Sequence, residues 1–393
     1  MAGTGPLRGI RVFDMTVFMV GPWASMHLGA LGADVIHVER PLSAGSGIPE
    51  IPPQVNGMSA GYIAWNMNKR GIALDLKSEA GRRRAVQIAG QCDVFLVNMR
   101  TGVAERLGLG YDELKAINPG LVYCSITGWG RTGPLADEPA TDVVVQAVSG
   151  FWSAAGAEGA AGEFHRHYTQ LDATTGNAAA QAVLMGLLAR RRTGRGTRID
   201  ITMLQSAAGV QALPLGSYLA TGQSPQPSGS ASGVAAPDEA FGCRDGRYVG
   251  VSVRTPGQWT SFCAALGKPE WEADPRFATN ADRMANRAEL RALLTAEFAA
   301  YPLDYWLLQS RRHRVPAAHP RGFEEIRRDV QVRDNGYLVE METPWARVTT
   351  GGPPWRFSRT PAAWHSPTPG IGQHDADVDT EFGVAASDPA VLR

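Results

Sequence analysis

Among the residues able to do chemistry in this chain, Asp172 has the most suggestive surroundings. It lies in HYTQLDATTGN (167–177), where a polar stretch rich in Thr and Gly opens onto the apolar run AAAQAVLMGLLARRRTGRG. Two readings compete. Asp and Thr ahead of an apolar helical run are ordinary N-cap residues, accepting bonds from the first free N–H groups. A carboxylate at such a place is also stabilised as an anion by the helix dipole, and an ionised carboxylate can be a covalent nucleophile. The local pattern leaves both open. Cysteine is the weaker nucleophile here: Cys124 falls mid-strand in LVYCSITG and Cys92 ends a helix, where a thiol is expected to be buried and inert. His165 and His167, in the polar segment before Asp172, read as surface residues, and no GxSxG supports a Ser-His-Asp triad.

The elements that must position these residues show in the periodicity of the first third. GIRVFDM (9–15), ADVIHVER (33–40), GIALDL, DVFLVNM and LVYCSITGW read as strands. Between them, GPWASMHLGALG, SEAGRRRAVQIAGQC and GYDELKAINPG have helical spacing, the last ending at Asn-Pro-Gly. Strands alternating with helices argue for βαβ units and a parallel sheet. Glu39, at the end of the second strand, stands where a ribose-binding acid of a dinucleotide site would. The loop after the first strand, MTVFMVGPW, nevertheless lacks the GxGxxG glycines that let a pyrophosphate approach, so an NAD-binding reading fails.

A chain of 393 residues has material for two or three domains. Its 38 basic and 38 acidic residues balance without a block of one sign, which asks for neither nucleic acid nor an anionic membrane. Four cysteines, none at CxxC spacing, argue against a disulfide framework and a zinc site. The apolar stretches are broken by Gly, Pro and polar residues, and the reading is of a soluble, cytoplasmic protein. Composition shifts at 216–240, rich in Ser, Pro, Gly and Ala. Beyond it FGCRDGRYVGVSV reads as a hairpin around Asp245-Gly246, followed by helices at 257–267, 286–300 and 303–312. From 330 onward the chain is strand-and-turn material with many prolines.

Longer strings carry a family pattern. LRGIRVFDMTVFMVGPWASMHLGALGADVIHVERP, NKRGIALDLKSEAGR, RLGLGYDELKAINPGLVYCSITGWGRTGP, TGRGTRIDITML and DPRFATNADRMANRAEL together resemble the family III CoA-transferases, a superfamily that includes formyl-CoA transferase and α-methylacyl-CoA racemase. The resemblance spans nearly the whole chain. It implies an α/β fold, a Rossmann-like large domain with a parallel sheet plus a smaller α+β domain, in an interlocked homodimer. Residues 1–220 would form the first part of the large domain, 221–329 the small domain, and 330–393 a return segment completing the large one.

The resemblance also implies a chemistry. QLDATTGNAAAQAVLMGLLA matches the family's helix start and places the nucleophile at Asp172. Asp172 would attack a donor acyl-CoA to give a mixed anhydride, and the thiolate would return to give an aspartyl-CoA thioester. A carboxylic-acid acceptor would then reverse these steps, with coenzyme A as substrate and no other cofactor or metal. Racemases of the superfamily carry His-Asp where this chain has Thr141-Asp142, and Thr cannot exchange protons at neutral pH. Asp142 is read as a structural residue capping the helix that begins VVVQAV. A non-catalytic acyl-CoA-binding paralogue is the third alternative. For CoA itself the matching positions are Phe18, Met19, Arg40, Asn68, Lys69, Asn98, Met99 and Arg106, with the cations meeting phosphates. Met19 replaces a glutamine of formyl-CoA transferase, which suggests a less polar acyl group. SGSASG (228–233) falls near that enzyme's glycine-rich lid, and Trp152, His165, His167 and Tyr168 would make the acyl pocket bulkier or more aromatic.

Overall fold

The structure is a computed structural model that describes residues 5–41, 51–153, 155–157 and 168–384. These fall into two compact units, one taking the described residues of 1–149, 166–212 and 330–393, the other those of 150–165 and 213–329. No helix among the described residues is long and apolar enough to cross a membrane.

The first unit is built on six strands: β1 (Arg11–Met15), β2 (Asp34–Glu39), β3 (Lys69–Ala73), β4 (Val94–Val97), β5 (Val122–Thr127) and β6 (Thr197–Thr202). All neighbours pair in parallel, in the order β3-β2-β1-β4-β5-β6. Successive side chains point to opposite faces of a strand. Phe13, Ile36, Ile72, Phe95 and Tyr123 accordingly share one buried face with the helix α2 (Glu79–Ala89). Val12, Val35, Leu96 and Cys124 share the other with α1 (Val20–Ala30). A short α3 (Tyr111–Ile117) also joins the first face through Leu114. Two faces buried at once explain why β4 is an unbroken apolar run and why β1, β2 and β5 carry apolar residues on both faces.

After β5 come α4 (Asp142–Val148) and the long α5 (Gln170–Thr193), which returns the chain to β6. α5 contributes Ala179, Ala180 and Val183 to the α1 face of the sheet. A further helix, α6 (Ala212–Thr221), buries none of its residues.

The second unit has an antiparallel sheet of β7 (Asp238–Gly242), β8 (Tyr248–Ser252) and β9 (Ala317–Ala318), in the order β9-β8-β7. The hairpin expected at Asp245-Gly246 joins β7 to β8, with Gly246 at φ +76, a conformation that glycine adopts without strain. Helices α7 (Pro256–Leu266), α8 (Arg287–Ala299) and α9 (Leu303–Arg312) cover a core of Trp259, Phe262, Phe298 and Trp306. SGSASG is tied to this unit: Ser230 Oγ accepts the Ala240 N–H at 3.0 Å, and the Ser232 carbonyl accepts from Arg287 at 2.7 Å.

From 330 the chain rejoins the first unit. A hairpin of β10 (Leu338–Glu342) and β11 (Arg347–Gly351) leads to α10 (Asp375–Glu381). Arg84 of α2 holds Asp375 at 2.8 Å and Asp379 at 2.6 Å, while Val378 and Phe382 enter the α2-side core.

Candidate active site

In a sheet of order 3-2-1-4-5-6 the chain leaves β1 towards β2 on one side and later takes up β4 on the other. A crevice opens at that reversal, outside the carboxyl ends of the strands. The loop Thr16–Met19 leaves the end of β1 there, and Asn98 follows the end of β4. The two are clamped together: Asn98 Nδ2 donates to the Val17 carbonyl at 2.8 Å, and Asn98 Oδ1 accepts the Val17 N–H at 2.9 Å. Phe18, next in the loop, is 61 % exposed and sits at φ +62, which for an aromatic residue costs about 1–3 kcal/mol. An exposed, strained side chain held by a two-bond clamp is one the fold presents rather than hides. Met19, half-buried, begins α1 as its N-cap residue.

α5 has 24 residues and so a length of about 36 Å, more than the sheet is deep. Its C-terminal turn is fixed at the amino edge, where Arg190 meets the Gly120 carbonyl at 3.3 Å and Asp93 at 2.9 Å. The first turn, with Asp172, therefore lies towards the carboxyl edge. Gly176, one turn after Asp172, packs against the start of α1: a Cβ there would come within 2.6 Å of the Val20 carbonyl and 3.0 Å of Trp23. The indole N–H of Trp23 donates to Asn177 at 2.9 Å. Residues four apart share a helix face, so Asp172 faces the side on which α1 begins.

Asp172 is the third residue of α5 and not its N-cap. The N-cap is Thr169, at φ +49, and its side chain makes no capping bond. The acceptor is Asp142, whose Oδ2 takes the N–H of Leu171 at 2.9 Å and of Asp172 at 3.1 Å. Its other oxygen accepts from Gln146. Asp142 was expected to cap its own helix; as the first residue of α4 it instead caps α5.

Asn68 and Lys69 are buried at the amino end of β3, away from the carboxyl edge. Asn68 bonds the Ala363 carbonyl at 2.7 Å and accepts the N–H groups of His365 and Ser366 at 2.8 and 3.0 Å, stapling the returning segment. Lys69 donates to Asp14 at 3.0 Å and to Asn66 at 2.7 Å. Arg40, at the end of β2, and Arg106 are exposed and Met99 is half-buried. Phe18, Met19 and Asn98 are thus brought together, while Asn68 and Lys69 are not among them and serve the frame from the amino end of β3. Tyr168 is exposed in the first unit and Trp152 half-buried in the second. His165 and His167 lie outside the described residues.

Sequence reasoning missed Asp14, although an acid inside the apolar RVFDM is a signal, because a buried charge must be paired. Asp14 anchors the loop by accepting the backbone and side-chain donors of Thr16. It also accepts from Ser25 at 2.6 Å and His37 at 2.9 Å, and His37 meets Glu39 at 2.7 Å through its other nitrogen. Burial alone would raise the Asp14 carboxyl, but Lys69 and His37 hold it far below the ordinary carboxylate range. Burial and the Lys69 charge oppose protonation of His37; the bonds to Asp14 and Glu39 outweigh them and raise it. Burial pushes the Lys69 ammonium down, against the pull of Asp14. Two hydroxyls beside these elements, Thr101 after β4 and Thr175 on α5, are buried without a hydrogen-bond partner.

Comparison with known proteins gives one consistent family. The family model described as CoA-transferase family III matches residues 7–375. The chain is 34% identical to the succinyl-CoA:glutarate CoA-transferase of Mus musculus, over 94% of this chain and 84% of that one. It is 34% identical to the succinate–glutarate CoA-transferase of Agrobacterium fabrum, over 96% of each. Among solved structures, a CAIB/BAIF family protein from Brucella suis superposes with a TM-score of 0.85 at 33% identity, covering 96% of this chain and 99% of that one.

Proposed function

This chain belongs to the CoA-transferase family III, and from that premise we propose that it moves coenzyme A from an acyl-CoA donor to a carboxylic-acid acceptor, with Asp172 as the attacking carboxylate. The seating of Asp172 carries this reading: it stands in the first turn of α5, on the face towards the start of α1, and two N–H groups of that turn, its own and that of Leu171, are satisfied by Asp142. A helix start also favours the anion.

In the first step an Asp172 oxygen adds to the donor thioester carbonyl, and the C–S bond breaks to give a mixed anhydride and CoA thiolate. The thiolate adds to the aspartyl carbonyl, releasing the donor acid with one oxygen that began on Asp172. The acceptor carboxylate adds to the resulting aspartyl-CoA thioester and expels the thiolate. That thiolate attacks the acceptor's carbonyl, leaving the new acyl-CoA and a carboxylate on Asp172. No proton is transferred, which suits a site whose only assigned group is a carboxylate. Covalent catalysis divides one difficult exchange into reversible, near-isoenergetic steps.

In this reading Phe18, Met19 and Met99 line the pantetheine and thioester path, Arg40 and Arg106 meet the phosphates, and Asn98 acts by holding the loop. The apolar Val17-Phe18-Met19 favours an acyl group less polar than oxalate. Thr141, where the racemases of the superfamily have histidine, speaks against proton exchange at the α-carbon. The working form is a homodimer: α5 leaves Met185 and Leu188 63% exposed and α6 leaves Leu213 and Leu219 69% and 73% exposed, apolar surface that a second copy would cover.

One preparation tests both claims. The protein should sediment as a dimer and transfer CoA within a panel of acyl-CoAs and acids led by succinyl-CoA and glutarate. Asp172→Ala should lose that transfer by more than about a thousandfold while its affinity for CoA changes by less than about threefold. Retained turnover in Asp172→Ala would remove Asp172 from the mechanism, and a monomer with full activity would remove the dimer.

A further inference from the structure

We infer that Asp142 is a positioning residue for the transfer reaction, its buried carboxylate fixing the first turn of α5 and with it the attacking group. This rests on the reading of Asp172 as the nucleophile. The first N–H groups of a helix have no partner within it, and a side chain at the N-cap normally accepts from the second or third of them. In α5 the N-cap Thr169 supplies no such bond. Both donors, on Leu171 and on Asp172 itself, go to Oδ2 of a residue about thirty positions earlier, on another helix.

Asp142 is well placed to hold rather than merely to satisfy them. It is 6% exposed, and its second oxygen accepts from the buried Gln146 one turn further along α4, which limits its rotamer. A carboxylate accepting from backbone N–H groups makes stronger bonds than a neutral cap. One of the two donors is the amide of the nucleophilic residue, so the constraint reaches Asp172 through a single covalent step. The Leu171 and Asp172 donors are met by Asp142, a residue other than the nucleophile, which separates capping from chemistry. With no cap of its own, the first turn would fray without Asp142 and carry Asp172 off line. A displacement of the order of 1 Å costs a reaction about a hundredfold.

The test is the single-turnover acylation of Asp172 in the full-length protein, trapped with hydroxylamine and read by peptide mass, with acyl-CoA affinity measured alongside. Asp142→Asn keeps an oxygen where Oδ2 stands, Asp142→Ala removes it, and Asp142→Glu moves it by one methylene. Acylation per folded site should fall about ten- to hundredfold in Asp142→Ala and Asp142→Glu, with affinity for acyl-CoA held within about threefold and Asp142→Asn recovering to within about fivefold of the native rate. Should the alanine protein not fold, the Glu and Asn variants carry the same comparison. A structural role alone would lower thermal stability and leave the rate per folded site unchanged. That result, or an Asn variant as slow as the Ala or Glu variant, would overturn the inference by itself. An unlabelled Asp172 in the native protein would overturn the transferase reading and this inference with it.

Discussion

Five donors converge on the Asp14 carboxylate: the backbone and hydroxyl of Thr16, the Ser25 hydroxyl, His37 and Lys69. Both nitrogens of His37 face carboxylates, Asp14 and Glu39, which favour the charged form of the ring. This cluster makes the stability of the first unit pH-dependent, with a sign that can be worked out. Asp14 is lowered from 3.8, so its contribution is complete above that value and lost as pH falls below it. His37 is raised from 6.5, so its contribution is complete below 6.5 and lost as pH rises through the raised value. The melting temperature should be highest between those limits and fall on either side, with the alkaline fall flattened in His37→Gln. Thermal scans across pH check this; an alkaline slope unchanged in His37→Gln would show that the ring is not charged in the native state.

The chemistry of single residues was legible unevenly. Asp172 stood out by its setting, but its double reading could not be resolved locally, because the true cap is a residue far away in sequence. The family resemblance implies a phosphate contact for Lys69, whereas its ammonium is buried against Asp14. Only the alignment of β1 beside β2, and β2 beside β3, brings those residues together.

Strands with both faces buried were the easiest elements to read, since β4 is apolar throughout and β1, β2 and β5 set apolar residues on both faces. β3 lies earlier than its apolar pattern suggests, over Lys69–Ala73, because the charged start NKR is drawn into the sheet by its buried partners. β6, TRIDIT, escaped notice as a strand: it is the sheet's last strand, only partly buried, and its polar residues blur the pattern. The loop clamp is likewise a product of strand order. Asn98 reaches Val17 only because β4 pairs with β1. Removing it should free the strained Phe18 loop without unfolding the sheet. Asn98→Ala is expected to raise KM for acyl-CoA about tenfold, with kcat falling less and the melting temperature shifting by no more than about 3 °C. Steady-state kinetics and a thermal scan decide it; an unchanged KM would mean that the loop holds its shape alone.

At the scale of the whole molecule, the chain divides by its contacts into the parallel-sheet unit and a second unit. The described residues of 213–329 cluster as a unit, and those from 330 onward rejoin the parallel-sheet unit. No local pattern announces that return; it depends on Asn68 stapling 363–366 and on Arg84 gripping α10. All the residues assigned to the transfer step belong to the sheet unit, at the carboxyl edge that its topology opens. Such an edge would serve many chemistries, so the case for transfer rests on what Asp172 does there. Turnover with an acceptor acid carrying heavy oxygen in its carboxylate, followed by weighing the peptide that contains Asp172, examines this directly. The account predicts label on Asp172 and then in the released donor acid, because each cycle passes one oxygen from acceptor to enzyme and one from enzyme to donor. Label confined to the acceptor and its new thioester, with the Asp172 peptide unlabelled after many turnovers, would contradict it.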